Sequence, residues 1–303
     1  MKKLLVSKVS SRLGMKYIPS GGTVLNIGVE NGPDAVLTPE FIQDISQENE
    51  VDLFDYTFSD PDPISKETYY PVVAEESATL ANDIVEKLTH KKYSGLINVG
   101  GDHSIAYATI LGVLRFLEGK KVGIIDFDSH GDIHLQRTSP TGNFHGMWVR
   151  PFFDIFDEKS IADVVNVEVI PSNQFLYIGN MLLEEEESRF IQEKGIPVID
   201  SKMIDADKAG MMKKIADFCE NVEFVHVTFD IDVFEKDIVS ATGTPNPDGF
   251  GVEMIKDCIK PIVDSGKLFS MDLVEVNPAK ENAVQTVSTA QMIIKEFLPG
   301  FRA

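Results

Sequence analysis

Val122-Gly123-Ile124-Ile125-Asp126-Phe127 runs directly into Asp128-Ser129-His130-Gly131-Asp132, and the junction of these two stretches decides the fold. The first is short and dominated by apolar residues, as expected of a strand buried on both faces. The second collects three side chains able to bind a cation within five residues, which an ordinary turn has little reason to do. A buried strand that opens at its C-terminal end into polar residues belongs to an open parallel sheet, where ligands bind along that edge.

The pattern recurs three times. Residues 96–99 lead into Gly100-Gly101-Asp102-His103-Ser104, residues 224–229 into Asp230-Ile231-Asp232, and a run at 268–276 carries Glu275-Val276-Asn277-Pro278 at its end. With further runs at 4–9, 51–56, 174–178 and 197–199, about eight strands are expected. Helical periodicity fills residues 74–89, 105–118, 184–194, 207–220, 252–265 and 286–297. Alternation of this kind predicts an α/β fold with a mostly parallel sheet covered on both faces.

At 303 residues with 43% hydrophobic content, the chain can bury a large core. It contains no internal repeat, low-complexity tract or long linker, so residues 1–303 are expected to form one domain. The formal net charge of -20 and pI near 4.6 argue against nucleic acid or an anionic membrane as partner. They suit a small cationic substrate, although an acidic surface is most simply a solvated one. Only Cys219 and Cys258 are present, both in helical stretches, which points to a reducing cytoplasm rather than a disulfide framework. Ser7, Lys8 and Ser10 interrupt the apolar start of the chain, which reads as the first strand. No apolar run reaches the roughly 20 residues that span a bilayer, so a soluble protein is expected.

Side chains alternate along a strand, so Asp128 and His130, or Asp230 and Asp232, are expected to project to one side. Gathering Asp128, Asp132, Asp230 and Asp232 without cations would raise their pKa values and cost stability. Two divalent ions would cancel the four charges. Imidazoles from His103 and His130 complete a mixed nitrogen and oxygen set that suits Mn²⁺ better than soft metals or Ca²⁺. Each piece alone has a plainer explanation: Gly-Gly-Asp-His-Ser as a capped turn, Asp230-Ile231-Asp232 as an acidic strand end, Glu275 as a surface pair, and Glu184 to Glu187 as a helix start. Jointly, on separate strands, they point to a metal site.

Gly-Gly-Asp-His at 100–103, Asp-Ser-His-Gly-Asp at 128–132 and Phe-Asp-Ile-Asp at 229–232 resemble, in order, the metal motifs of the ureohydrolase family of arginases, agmatinases and formimidoylglutamases. The likeness extends from Gly28-Val29-Glu30-Asn31-Gly32-Pro33 to Glu275-Val276-Asn277-Pro278. It implies a three-layer α/β/α sandwich and two manganese ions. His103, Asp128, Asp132 and Asp230 would hold one ion, and Asp128, His130, Asp230 and Asp232 the other. It also implies a homo-oligomer, a trimer or hexamer.

Gly142-Asn143-Phe144-His145-Gly146-Met147 is closest to arginases, so the expected reaction is arginine to ornithine and urea through a metal-bridging hydroxide. Asp132 would orient that nucleophile, Glu275 would hold the guanidinium, and His145 would shuttle the proton to the leaving amine. Asn143, His134, Thr141 and Glu184 occupy positions expected to bind substrate. Departures from the arginase pattern fall there: His134 follows Asp132-Ile133, Thr141 precedes Gly-Asn, and Leu182 and Glu184 stand in a segment that usually carries two aspartates. Agmatine, another guanidino acid or formimidoylglutamate are the alternative substrates. A deacetylase on a related fold would need one metal, and a catalytically silent metal-binding protein is the alternative of another class.

Overall fold

The computed structural model describes residues 1–17, 26–59, 65–164 and 169–302. Its centre is one eight-stranded sheet, all parallel, in the order β2-β1-β3-β8-β7-β4-β5-β6. The strands are β1 (Lys2–Ser10), β2 (Asn49–Thr57), β3 (Gly95–Gly100), β4 (Val122–Phe127), β5 (Phe175–Ile178), β6 (Val198–Ile199), β7 (Phe224–Asp230) and β8 (Leu268–Val274). The four that carry the polar motifs, β3, β8, β7 and β4, are contiguous in the middle of the sheet. That adjacency brings the motifs together.

Among the described residues ten α-helices connect them: α1 (Gly32–Val36), α2 (Pro39–Ile45), α3 (Lys66–His90), α4 (Ile105–Phe116), α5 (Lys159–Ala162), α6 (Glu185–Lys194), α7 (Ser201–Ala206), α8 (Lys208–Glu220), α9 (Val252–Asp264) and α10 (Ala283–Phe297). Strand alternation sorts the sheet's side chains into two cores. Leu5, Leu96 and Ile124 pack under α3, α4, α5 and α6. Leu4, Ile97, Ile125 and Phe229 pack against the other six helices. The layers are therefore helix, sheet, helix.

Local chemistry explains the element ends. Glu184 caps α6 reciprocally with Glu187, and Gly195 closes that helix at φ +64°. Asp207 caps α8 by accepting from the Gly210 N–H at 2.9 Å. Two boundaries correct the sequence reading. The last strand ends at Val274, not 276, because Glu275 turns out of it at φ +67°. The helix expected at 74–89 begins eight residues earlier, at Lys66, with Pro71 inside it. The short helices α1, α2, α5 and α7 were not expected. No helix among the described residues is long and apolar enough to cross a membrane, and Cys219 and Cys258 are free and buried.

Candidate metal centre

The site lies past the C-terminal ends of β3, β4, β7 and β8, at the floor of a cavity of about 250 Å³. The expectation that Asp128 and His130, or Asp230 and Asp232, converge through strand alternation is corrected. Asp128 and His130 lie beyond β4, and Asp232 sits in a 3-10 turn, Ile231–Val233. Convergence comes instead from two turns closed by side chains. The His130 N–H donates to Asp128 Oδ1 at 2.7 Å, and the Asp232 N–H to Asp230 Oδ1 at 2.8 Å.

These turns build two groups. His103 Nδ1 lies 3.0 Å from Asp128 Oδ2, 3.2 Å from Asp132 Oδ2 and 3.4 Å from Asp230 Oδ2. His130 Nδ1 lies 3.4 Å from Asp128 Oδ1 and 3.2 Å from Asp232 Oδ2. Asp128 thus turns one oxygen to each imidazole. Either group could hold a metal ion: His103, Asp128 and Asp230, or Asp128, His130 and Asp232. A divalent cation fits, because His103 Nδ1 and Asp128 Oδ2 are buried, face each other and lack hydrogen-bond partners. The donors are nitrogen and oxygen only, without thiolate.

The electrostatics agree. Burial, then Asp232 and Asp128, push the Asp230 carboxyl well above the carboxylate range. Burial, then Asp230 and Asp102, do the same to Glu275. Burial by itself would lower the His103 imidazole, but Asp128, Asp132 and Asp230 hold it well above the ordinary histidine value. His130 is raised against its burial chiefly by Asp232.

Three residues that wall this site, Asn26, Asp132 and Glu275, have φ of +43°, +46° and +67°. Among the described residues only one other non-glycine, Asn282, has positive φ. Such strain persists where surrounding bonds impose it. Here Trp148 Nε1 donates to Asp132 Oδ2 at 2.9 Å, the His103 N–H to Glu275 Oε1 at 2.9 Å, and Asn26 Nδ2 to Glu275 Oε2 at 2.8 Å.

His145 lines the cavity, and its Nδ1 is 3.1 Å from the Gly14 carbonyl. Nδ1–H is therefore the donor, which leaves Nε2 able to exchange a proton. Thr141, His134 and Glu184 also line the cavity. His134 Nε2 bonds to Glu184, with Glu187 at 3.5 Å. These three form another group of suitable spacing for a cation, but helix capping already accounts for both glutamates. Asn143 is the exception. It is 1% exposed, and its amide exchanges two 2.8 Å bonds with the Tyr17 backbone, so it braces a loop instead of lining the cavity.

Sequence reasoning missed Asn26, Trp148, Glu187 and Thr244, whose hydroxyl donates to Asp232 Oδ2 at 3.0 Å. Glu187 was visible only as part of an acidic helix start. The lone tryptophan three residues after His145 was the one available signal for Trp148.

A sequence model described as the arginase family matches residues 17–299. An arginase of Emericella nidulans is 28% identical, covering 98% of this chain and 97% of its own length. An arginase of Bacillus subtilis is 30% identical, covering 89% and 92%. A crystal structure of Bacillus subtilis arginase superposes with a TM-score of 0.84 at 25% identity, covering 98% of both chains. The fold, the arrangement of the motifs along one sheet edge and these similarities agree: the chain belongs to the arginase family of hydrolases.

Proposed function

We propose that this single-domain chain hydrolyses the guanidino C–N bond of arginine to give ornithine and urea, using two divalent cations. The observation that carries the reading is Asp128, whose two oxygens face different imidazoles at the floor of a cavity walled by Glu275. His103, Asp128, Asp132 and Asp230 would hold one ion, and Asp128, His130, Asp230 and Asp232 the other. When bound, the pair supplies a water whose pKa is lowered toward neutrality. The oxygen and nitrogen donors support Mn²⁺. The two free, buried cysteines support a cytoplasmic setting, and the family resemblance supports a homo-oligomer.

The protein's own groups do the rest. Glu275, fixed from both sides, binds the guanidinium as a charged pair and sets the position of its carbon. Asp132, held by Trp148, orients the attacking water. His145 passes a proton through Nε2 to the leaving amine. Thr141, His134 and Glu184 meet the far end of the substrate. One observation favours agmatine as a second substrate: the described residues lining the cavity include Glu184 and Glu187 but neither Lys nor Arg to meet a carboxylate.

Release of urea from arginine, agmatine and 4-guanidinobutyrate, and of formamide from formimidoylglutamate, tests the reading on Mn²⁺-loaded protein. Arginine should give the highest kcat/KM. Glu275→Gln should lower it at least ~100-fold, since a lost charged contact to a positioned substrate costs about 3 kcal/mol. Faster turnover of formimidoylglutamate, or an unchanged kcat/KM in Glu275→Gln, would contradict it.

A further inference from the structure

Asp126, in β4, is completely buried, and neither of its carboxylate oxygens has a hydrogen-bond partner. Leaving such a group unpaired is costly, so it calls for a function. The sheet register indicates one. Asp126 is the Cα partner of Thr228 in β7, and Thr228 of Asp272 in β8. Register partners on parallel strands project from the same face, so these three side chains stand in a row on the face that α4 covers.

Thr228 Oγ1 lies 2.9 Å from His103 Nε2. The other ring nitrogen, Nδ1, faces the carboxylates of the candidate metal centre. With a cation on Nδ1, the ring proton sits on Nε2 and is donated to the Thr228 hydroxyl. That hydroxyl's own hydrogen then needs an acceptor. The oxygens of Asp272 already accept from Asn98 Nδ2 at 2.7 Å and from Thr109 Oγ1. Those of Asp126 accept from nothing.

We infer that Asp126, Thr228 and His103 become a relay when a cation binds: Thr228 then turns its hydroxyl hydrogen to its register neighbour Asp126, a bond absent while Asp126 stays unpaired, and so fixes the ring orientation and tautomer of His103. The inference rests on the two-cation reading. Asp126 and Thr228 are positioning residues and touch no substrate. Hydrogen-bonded partners behind a ligating histidine typically carry 10–100-fold of the metal affinity.

Mn²⁺ binding to metal-stripped protein, followed by equilibrium dialysis, tests it. Thr228→Val should weaken one of the two ions by about tenfold or more and leave the other unchanged. Thr228→Ser, which restores the hydroxyl, should stay near wild type. Asp126→Leu should weaken the same ion and add nothing in the Thr228→Val background, since both act through one contact. The metal-free Asp126→Leu protein should unfold at or above the wild-type temperature, because it loses an unpaired buried carboxylate; a merely structural Asp126 would lower it. Asp126→Ala, which adds no volume, carries the same expectation for binding should Leu prevent folding. Wild-type binding of both ions by Thr228→Val would overturn the relay, as would losses that multiply in the double variant. Wild-type stoichiometry separately reads the two-cation proposal, and a value below two would remove the relay along with it.

Discussion

Asp230 and His145 separate two kinds of contribution at the same cavity. Asp230 lies against His103 and accepts from the Asp232 N–H, so Asp230→Asn removes a negative charge from the group around His103 and disturbs the turn that places Asp232 in the other. It should lose bound Mn²⁺ and activity together. His145 touches neither group among its recorded contacts, bonding through Nδ1 to Gly14. His145→Asn should keep two ions and lower kcat by about 10²–10⁴-fold, the usual worth of a positioned proton donor. Metal analysis beside steady-state kinetics checks both, and loss of both ions from His145→Asn would exclude its role as a shuttle. Backbone strain at Asp132 and Glu275 points the same way, since non-glycine residues at positive φ cost about 1–3 kcal/mol each. Glu275→Gly should therefore raise the unfolding temperature of the metal-free protein while abolishing guanidino turnover.

The strand ends are where local sequence becomes a site. Gly179, just after β5, passes so close to β4 that a Cβ there would lie 1.9 Å from the Asp128 carbonyl oxygen. Gly179→Ala should push these ends apart, destabilise the fold by about 1–3 kcal/mol as overpacking does, and weaken metal uptake through Asp128. Denaturant midpoints and Mn²⁺ titrations would show it. The central strands were legible as short apolar runs ended by polar residues and the edge strand β2 by Asp interspersed among apolar residues, and the six ligand candidates were legible because they follow the central runs closely. Their convergence was read for the wrong reason, since alternation ends with the strand and turns take over at Asp128 and Asp230. Asn26, Trp148 and Thr244 come from loops whose approach depends on tertiary packing, which neither periodicity nor spacing encodes. The Asn143 brace on Tyr17 is hidden for the same reason.

Across the whole molecule, the centre makes the metal-free fold sensitive to pH. Asp230 and Glu275 are raised by burial, so the native state keeps protons that the unfolded chain releases above about pH 4. Stability of the metal-free protein therefore falls as pH rises from there. His103 and His130 are raised as well, and their contribution is intact below about pH 6.5 and lost as pH climbs through the folded values. Both effects have the same sign. Cations need the deprotonated carboxylates and a free imidazole nitrogen, so stabilisation by Mn²⁺ should grow with pH. Thermal unfolding between about pH 5 and 8, with Mn²⁺ and with a chelator, should give curves that diverge upward in pH.

Anomalous diffraction from crystals grown with Mn²⁺ tests the central claim most directly. The account predicts two peaks per chain, one against His103 Nδ1 and one against His130 Nδ1, with an oxygen of Asp128 on each. A single peak, or ions bound away from these imidazoles, would contradict it.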